Sequence, residues 1–188
     1  LLAAAVVVGL LAFSYLEQRR ENREEFYVLL LVSTLGSMVL VASNNFVSLF
    51  LGLEVLSVGI YGLVAYFRAA PFAAEAGIKY LILAGVSSAF LIFGMALIYG
   101  QTGTMQFGAM AERLSGDVNL GLVLPGLALM VTGVGFKLAL VPFHMWTPEV
   151  YQAAPAPVTA FVATASKGGM LALLLRFFAE FAALDLGP

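Results

Sequence analysis

F-K-L-A-L-V-P-F-H-M-W-T-P-E-V-Y-Q-A-A-P-A-P-V-T-A-F-V-A-T-A-S-K-G-G, residues 136–169, is the stretch that decides the fold. It places Lys137 and Lys167 inside two apolar runs and separates them by a break rich in proline. A buried ammonium is costly to desolvate and easily neutralised. Two lysines at membrane depth beside an interrupted helix therefore suggest a route for protons or cations.

The composition is that of an integral membrane protein. Of the 188 residues, 62% are hydrophobic and only 11% are charged, and the mean hydropathy is +1.00. A soluble domain is about one quarter charged. The absence of cysteine excludes disulfides, iron–sulfur ligation and thiol catalysis within this chain. With no basic patch for nucleic acid, the expected surroundings are membrane lipid and other membrane proteins.

Five apolar runs are long enough to cross a bilayer core as helices, at 26–43, 46–67, 76–100, 120–143 and 156–176. They are too long for barrel strands and lack alternation, so the predicted fold class is an all-α bundle. The run at 1–16 is about four residues short of a span. With the charged loop that ends at 25 it looks like a truncated helix, so the chain looks like a fragment, and about six transmembrane helices are expected.

The loops predict an orientation, because Lys and Arg favour cytoplasmic loops. Loops one, three and five would face the cytoplasm, with the break around His144 on that side and Pro188 on the other. The arginines that decide this are Arg19, Arg20 and Arg23 in loop one and Arg68 in loop three. In loop four, mixed three- and four-residue steps predict a short amphipathic helix at the interface, formed by Met105, Phe107, Met110 and Leu114.

The break itself predicts a second short helix. Thr147 before Pro148 is a good N-cap and first-position pair, so a helix over 148–153 is expected. Glu149 in its first turn is either a capping carboxylate or a proton-active group. Trp146 and Tyr151 are most simply interpreted as interface anchors.

Glu54 is the carboxylate placed deepest in an apolar run. Ser57 and Tyr61 follow at i+3 and i+7, so one stripe of this helix is polar. Intramembrane carboxylates are functional by default, and a hydrogen-bonded packing residue is the alternative. A carboxylate favours the lysine ammonium and desolvation favours the neutral amine. If Glu54 lies beside Lys137, moving them apart would release the proton.

The lysines differ in their surroundings. Gly133, one turn before Lys137, permits a close neighbour, and His144 would share the Lys137 face if the helix continued. A proline kink used only for packing is the alternative to a real interruption. Lys167 lies near the centre of its run, where it cannot easily reach the surface, with the Thr164 hydroxyl at i−3.

Two further cations lie nearer the ends of their runs. Lys79 has Glu75 at i−4. It is therefore either half of an ordinary interfacial pair or the inner member of a relay. Arg176, close to its helix end, is expected to snorkel to the surface.

The opening stretch resembles the antiporter-like, proton-translocating membrane subunits of respiratory complex I, the NADH:quinone oxidoreductase. P-F-H-M-W-T-P-E-V-Y, P-V-T-A-F and S-K are most similar to the subunit N type. I-K-Y-L-I-L-A-G-V-S-S-A-F and Y-G-Q-T-G-T support the same choice, and the resemblance covers essentially the whole chain.

The resemblance implies two inverted five-helix repeats, each with an interrupted helix, joined by a line of buried charges. Residues 26–184 would be the first repeat, interrupted at about 120–153, and the second would be absent, which leaves one half-channel. The residues that carry protons would be Glu54, Lys137 and Lys167, and His144 and Lys79 are expected as further members from their own positions in the sequence.

It also implies a non-catalytic pumping subunit of the oxidoreductase. FMN, iron–sulfur clusters and quinone would belong to partner subunits, with no cofactor in this chain. A bacterial plasma membrane is favoured over the mitochondrial inner membrane. Two alternatives stay open: a subunit of a Mrp-type cation/proton antiporter or membrane-bound hydrogenase, and a purely structural membrane anchor. The anchor is disfavoured by the buried charges, because apolar residues would fill a static bundle at lower cost.

Overall fold

The computed structural model describes residues 1–19, 23–67 and 69–182, apart from the side chain of Phe181. Over these ranges the chain forms nine α-helices and one π-helical turn, Val162–Ser166. The helices are α1 Leu2–Glu17, α2 Arg23–Ala42, α3 Phe46–Val64, α4 Ala73–Thr102, α5 Phe107–Leu114, α6 Leu120–Leu138, α7 Thr147–Ala153, α8 Ala156–Phe161 and α9 Lys167–Ala182. The predicted orientation used Arg20, Arg68 and Pro188, which lie outside the described residues.

Five membrane-crossing helices are present in the described part of the chain, which confirms the all-α membrane bundle. By length and composition they are α2, α3, α4, α6 and the continuous helix Ala156–Glu180, formed by α8, the π-helical turn and α9. The helix α1 is apolar but shorter. Each predicted span is found, and its ends lie within five residues of the predicted ends.

The helix α6 ends in a Schellman motif. The Leu140 N–H donates to the Gly135 carbonyl at 2.8 Å, and the Ala139 N–H donates to the Phe136 carbonyl at 3.0 Å. Ala139 is left-handed, with φ 58°, a conformation that glycine usually supplies at this position. The span therefore ends at Leu138, five residues before the predicted end, and the chain turns before it reaches the prolines.

Close helix contacts depend on glycine in α4 and α6. A Cβ added to Gly94 would lie 2.6 Å from the Gly126 carbonyl oxygen, and one added to Gly133 would lie 2.8 Å from the Leu91 Cβ. The Ser87 hydroxyl donates across this contact to the Gly133 carbonyl at 3.0 Å. The close neighbour predicted at Gly133 is confirmed. It fixes the height of α6, and hence of Lys137, against α4.

The predicted amphipathic helix in loop four is present as α5, but its apolar face contacts protein. Phe107 is 2% exposed and Met110 is fully buried. The Phe107 ring packs edge-on against Phe177 of α9, with ring centres 5.1 Å apart, and also against Phe46 of α3. The helix therefore covers one end of the bundle, where a lipid-facing helix was expected.

Candidate functional site

Lys137 lies in the last turn of α6 and points into the bundle, where it is 4% exposed. Its Nζ donates to the Ser57 hydroxyl at 3.1 Å and, over a longer 3.4 Å, to the Tyr80 hydroxyl. No carboxylate of the described residues forms an ion pair with it. The carbonyls at the end of α6 carry partial negative charge, which favours a cation here. The ammonium is thus held by neutral oxygens and a helix end.

Glu54 is half-buried on α3, one turn before Ser57. Its Oε1 accepts a hydrogen bond of 2.5 Å from the Ser88 hydroxyl of α4. The carboxylate acts electrostatically on Lys137 and on Tyr61. The structure therefore brings Glu54 and Lys137 near each other without a direct ion pair, and Ser57 lies on the same helix between them.

Two hydrogen-bond partners of these charged groups could not be identified from the sequence. Ser88 holds the Glu54 carboxylate, and Tyr80 holds the Lys137 ammonium. The adjacent Ser87 and Ser88 interrupt an apolar run, which is a usable signal for a polar helix face. Tyr80 gave no such signal, because it follows Lys79 directly and only the fold shows which of the two points inward.

Trp146 belongs to the interior of the bundle, so its interpretation as an interface anchor is wrong. It is 4% exposed, and its ring centre lies 4.8 Å from that of Tyr80 and 5.4 Å from that of Phe136. Its Nε1 donates to the Phe136 carbonyl at 3.1 Å. The early end of α6 lets the chain fold back, so the indole caps a carbonyl of the helix that has just ended.

Tyr151 also points into the bundle, so its interpretation as an interface anchor is wrong. Its ring packs edge-on against Trp146, with centres 6.2 Å apart. Its hydroxyl is buried and has no hydrogen-bond partner among the described residues. Burial raises the pKa of the Tyr151 phenol above its ordinary value, so the group stays protonated at neutral pH.

Lys167 is the first residue of α9 and follows the π-helical turn directly. It is half-buried, and its Nζ lies 5.7 Å from the centre of the Tyr151 ring, within cation–π range. The suggested contact with Thr164 is not found among the described residues, and the Thr164 hydroxyl donates to the Ala160 carbonyl of its own helix at 2.6 Å. The Ser37 hydroxyl of α2 donates to the Ala165 carbonyl at 3.2 Å and ties the turn to the bundle.

His144 lies in the turn between α6 and α7, so the helix does not carry it onto the face of Lys137. Its Nδ1 is buried without a protein partner. The short helix predicted over 148–153 is present as α7, but Thr147 does not cap it. Thr147 is already helical, Trp146 occupies the capping position, and the Thr147 hydroxyl is buried without a partner.

Lys79 forms ion pairs with two carboxylates at the mouth of the bundle. Its Nζ lies 2.8 Å from Glu75 of α4 and 2.9 Å from Glu149 of α7. The predicted pair with Glu75 is confirmed, and Glu149 adds a link between the two helices. The Lys79 side chain is 47% exposed. The three groups line a cleft of about 360 Å³, together with Pro71, Phe72, Ala76, Gln152 and Ala153.

These contacts define a class of protein. It is a helical membrane bundle that holds a row of titratable and hydroxyl-bearing side chains in its interior, of the kind that marks ion pathways. Among the described residues no three His, Cys, Asp or Glu side chains converge as metal ligands would. The chemistry available to this row is the holding and passing of protons.

The family described as NADH:quinone oxidoreductase/Mrp antiporter, transmembrane, matches residues 43–185, and the chain belongs to this family. The NADH-quinone oxidoreductase subunit N of Methylococcus capsulatus is 51% identical over 177 residues. The match covers 94% of this chain and 36% of that relative.

Two solved structures share the fold. A chain of respiratory complex I from Thermus thermophilus with bound aureothin has a TM-score of 0.75 and 37% identity, over 92% of this chain and 39% of that one. A chain of the archaeal membrane-bound sulfane sulfur reductase, a respiratory membrane complex, has a TM-score of 0.77 and 35% identity. The match covers 89% of this chain and 35% of that one. The chain thus spans well under half the length of these relatives. It is a multi-pass membrane protein, and its bacterial relatives support a bacterial membrane.

Proposed function

We propose that the chain forms a proton-translocating half-channel in the membrane part of an NADH:quinone oxidoreductase. The observation that carries the proposal is the buried Lys137 ammonium, held by Ser57 and Tyr80 with no ion pair to any of the described residues. Burial penalises the charged form of a lysine, because the ammonium loses its contact with water. An ammonium whose direct hydrogen-bond partners are neutral oxygens can readily exchange its proton. The relative from Methylococcus capsulatus, which is a subunit N, supports the choice of complex.

Each charged residue has a proposed part in the route. Lys79 and Glu149 form the mouth, where the cleft admits water and protons. Lys137 holds the proton in the interior, Glu54 sets how strongly it is held, and Lys167 passes it onward. His144 lies in the connecting turn between these groups.

The chain is proposed to act without redox chemistry of its own. FMN, iron–sulfur clusters and quinone would lie in partner subunits, and the other membrane subunits of the complex would surround this chain. Residues 26–184 would form the first of two inverted repeats, interrupted at about 120–153. Electron transfer elsewhere would drive protons through this row by electrostatic or conformational coupling.

A second candidate is a subunit of a Mrp-type antiporter or of a complex related to membrane-bound hydrogenase. The family includes Mrp antiporters, and a chain of the archaeal sulfane sulfur reductase superposes on this one with a TM-score of 0.77. Copurification with the full-length chain separates the two candidates. NADH-oxidising and quinone-binding partners support the first, and their absence from an intact complex supports the second.

The proposed route is tested by Lys167→Ala in the assembled complex, reconstituted in proteoliposomes. We expect fewer protons to be moved per electron, because the group that accepts them beyond Lys137 is removed. Arg176→Ala is the matched control, since this exposed arginine donates to the Val41 carbonyl and lies outside the row. Proton translocation by Lys167→Ala that equals the control would refute the route.

A further inference from the structure

Two tyrosines each contact one of the two lysines, the buried Lys137 and the half-buried Lys167. The Tyr80 hydroxyl accepts a hydrogen bond from Lys137 Nζ at 3.4 Å. The Nζ of Lys167 lies 5.7 Å from the centre of the Tyr151 ring. The Tyr80 and Tyr151 rings both pack against the indole of Trp146. The interior therefore contains a row that runs from Lys137 through Tyr80 and Tyr151 to Lys167.

Trp146 blocks a direct path between the two tyrosine rings. Its ring centre lies 4.8 Å from that of Tyr80 and 6.2 Å from that of Tyr151. Indole offers no hydrogen-bond acceptor, and its one N–H group is committed to the Phe136 carbonyl. A polar connection between the tyrosines must therefore pass around the indole, from one hydroxyl to the other.

Unpartnered polar atoms mark where such a connection can run. His144 Nδ1, Thr147 Oγ1 and the Tyr151 hydroxyl are all buried and form no hydrogen bond to the part of the chain that the structure describes. The Thr147 N–H donates to the His144 carbonyl, so this turn leads directly into α7. Thr147 and Tyr151 are four residues apart in α7, so their side chains lie on one face of this helix. Long helical side chains lean toward the helix N-terminus, which carries the Tyr151 hydroxyl back toward Thr147.

The three buried polar atoms belong to one turn and the helix that follows it. Such atoms, when the protein leaves them unpaired, are usually satisfied by internal water that makes two to four hydrogen bonds. One water molecule joins two polar atoms that are up to about 5.5 Å apart, twice a normal hydrogen-bond length. A short chain of water at this face can therefore connect the two phenols.

We infer that Tyr80 and Tyr151, bridged by internal water held by His144 and Thr147, form the proton connection from Lys137 to Lys167. The inference rests on the proposed function, because it describes a step within the same route. It assigns relay roles to two tyrosines and a threonine that the sequence did not single out as proton-carrying groups.

The transfer balances without ionising either phenol. Lys137 Nζ gives a proton to the Tyr80 oxygen while the original Tyr80 proton passes to the bridging water. The water passes a proton to the Tyr151 oxygen, and the original Tyr151 proton reaches the neutral amine of Lys167 through water. The net change is one proton moved from the Lys137 ammonium to Lys167. Rotation of the hydroxyls and of the water then restores the original direction of the hydrogen bonds, so that a second proton can follow.

The test is Tyr151→Phe in the full-length chain within the assembled, reconstituted complex. This change removes one hydroxyl and keeps the ring that packs on Trp146. Tyr99→Phe is the matched control, because Tyr99 is 43% exposed on the outside of α4. We expect proton translocation to slow about ten-fold or more in Tyr151→Phe, as for loss of a positioned proton-transfer group. Tyr99→Phe should pump as the unaltered complex does.

Lys167→Ala in the same assay separates failure of the inference from failure of the proposed function. If Lys167→Ala impairs pumping and Tyr151→Phe matches Tyr99→Phe, the tyrosine relay is wrong and the proton route stands. If Lys167→Ala also pumps normally, the route itself is wrong and the relay falls with it.

A structural readout tests the water directly. We expect a map of the assembled complex to show ordered water in hydrogen-bond contact with the Tyr151 hydroxyl. Thr147→Val should displace part of this water and slow pumping, whereas Thr164→Val should do neither, because the Thr164 hydroxyl is bonded within its own helix. A map that shows water elsewhere in the bundle and none at Tyr151 would overturn the inference.

Discussion

The Lys137 ammonium and the Ser57 hydroxyl are joined by a hydrogen bond of 3.1 Å between α6 and α3. Ser57 in turn donates to the Leu53 carbonyl at 2.7 Å, so its lone pairs are free to face the ammonium. Glu54 lies one turn earlier on the same helix and acts on Lys137 without touching it. The serine thus provides the close contact, and the carboxylate provides the longer-range charge.

Ser57→Ala should destabilise the bundle in detergent, because it removes an oxygen that holds a buried charge. Hydrogen bonds to charged groups contribute about 1.5–3 kcal/mol, and we expect a loss of that order in the free energy of unfolding. Ser33→Ala is the matched control, since the buried Ser33 hydroxyl bonds to no protein group. The two variants should differ clearly in denaturant midpoint, and equal midpoints would contradict the assignment.

Ala139→Gly should stabilise the end of α6. A left-handed residue with a Cβ is strained by about 1–2 kcal/mol, and glycine removes this strain. Glycine is also more flexible in the unfolded chain, which lowers the free energy of unfolding by about 0.5–1 kcal/mol. The expected net gain is about 0.5–1 kcal/mol in the same unfolding assay. Ala128→Gly, on the exposed face in the interior of α6, should destabilise instead. A loss of stability in Ala139→Gly would show that the helix does not end in this motif.

Gly94→Ala should weaken the contact between α4 and α6. The new Cβ would lie 2.6 Å from the Gly126 carbonyl oxygen and 2.8 Å from the Met130 nitrogen, both backbone atoms. Overpacking of this kind costs about 1–3 kcal/mol. Gly85→Ala lies on the same helix with nothing within 4 Å, so it should be neutral or stabilising. Thermal unfolding of the two variants checks the prediction, which fails if Gly94→Ala is tolerated as well as Gly85→Ala.

Trp146 is the chain's one tryptophan, so its fluorescence reports directly on the break. At 4% exposure it should emit at short wavelength and resist quenching by acrylamide and by brominated lipid. An indole anchored at the membrane interface would be quenched readily by brominated lipid. Strong quenching would restore the interpretation of Trp146 as an interface anchor.

The bundle and its spans followed from the sequence because hydrophobic length is a direct requirement of the bilayer. The interruption was also predicted, but its position was set by an alanine in the left-handed conformation, at Ala139. Proline is visible in a sequence, whereas a Schellman ending without glycine is not. The end of α6 was therefore placed too late.

The sequence predicted a site residue only where the residue type is informative by itself. Glu54, Lys137 and Lys167 stand out because charge is rare inside a membrane. Trp146 and Tyr151 were misplaced because an amphipathic ring suits both an interface and a polar interior. The partners Ser88 and Tyr80 depend on contacts between helices, which local spacing does not report.

The central claim is that Lys137 carries a transported proton. Its most direct test is Lys137→Met, which keeps a long unbranched side chain and removes the ionisable group, in the assembled complex in proteoliposomes. Arg176→Met removes one positive charge from the exposed surface as the control. Assembly is verified for both variants. We predict that the Lys137→Met complex moves fewer protons per electron, and that the decrease equals the number of protons this subunit translocates. The Arg176→Met control should keep the proton-to-electron ratio of the unaltered complex. A proton-to-electron ratio in Lys137→Met equal to that of the unaltered complex would contradict the claim.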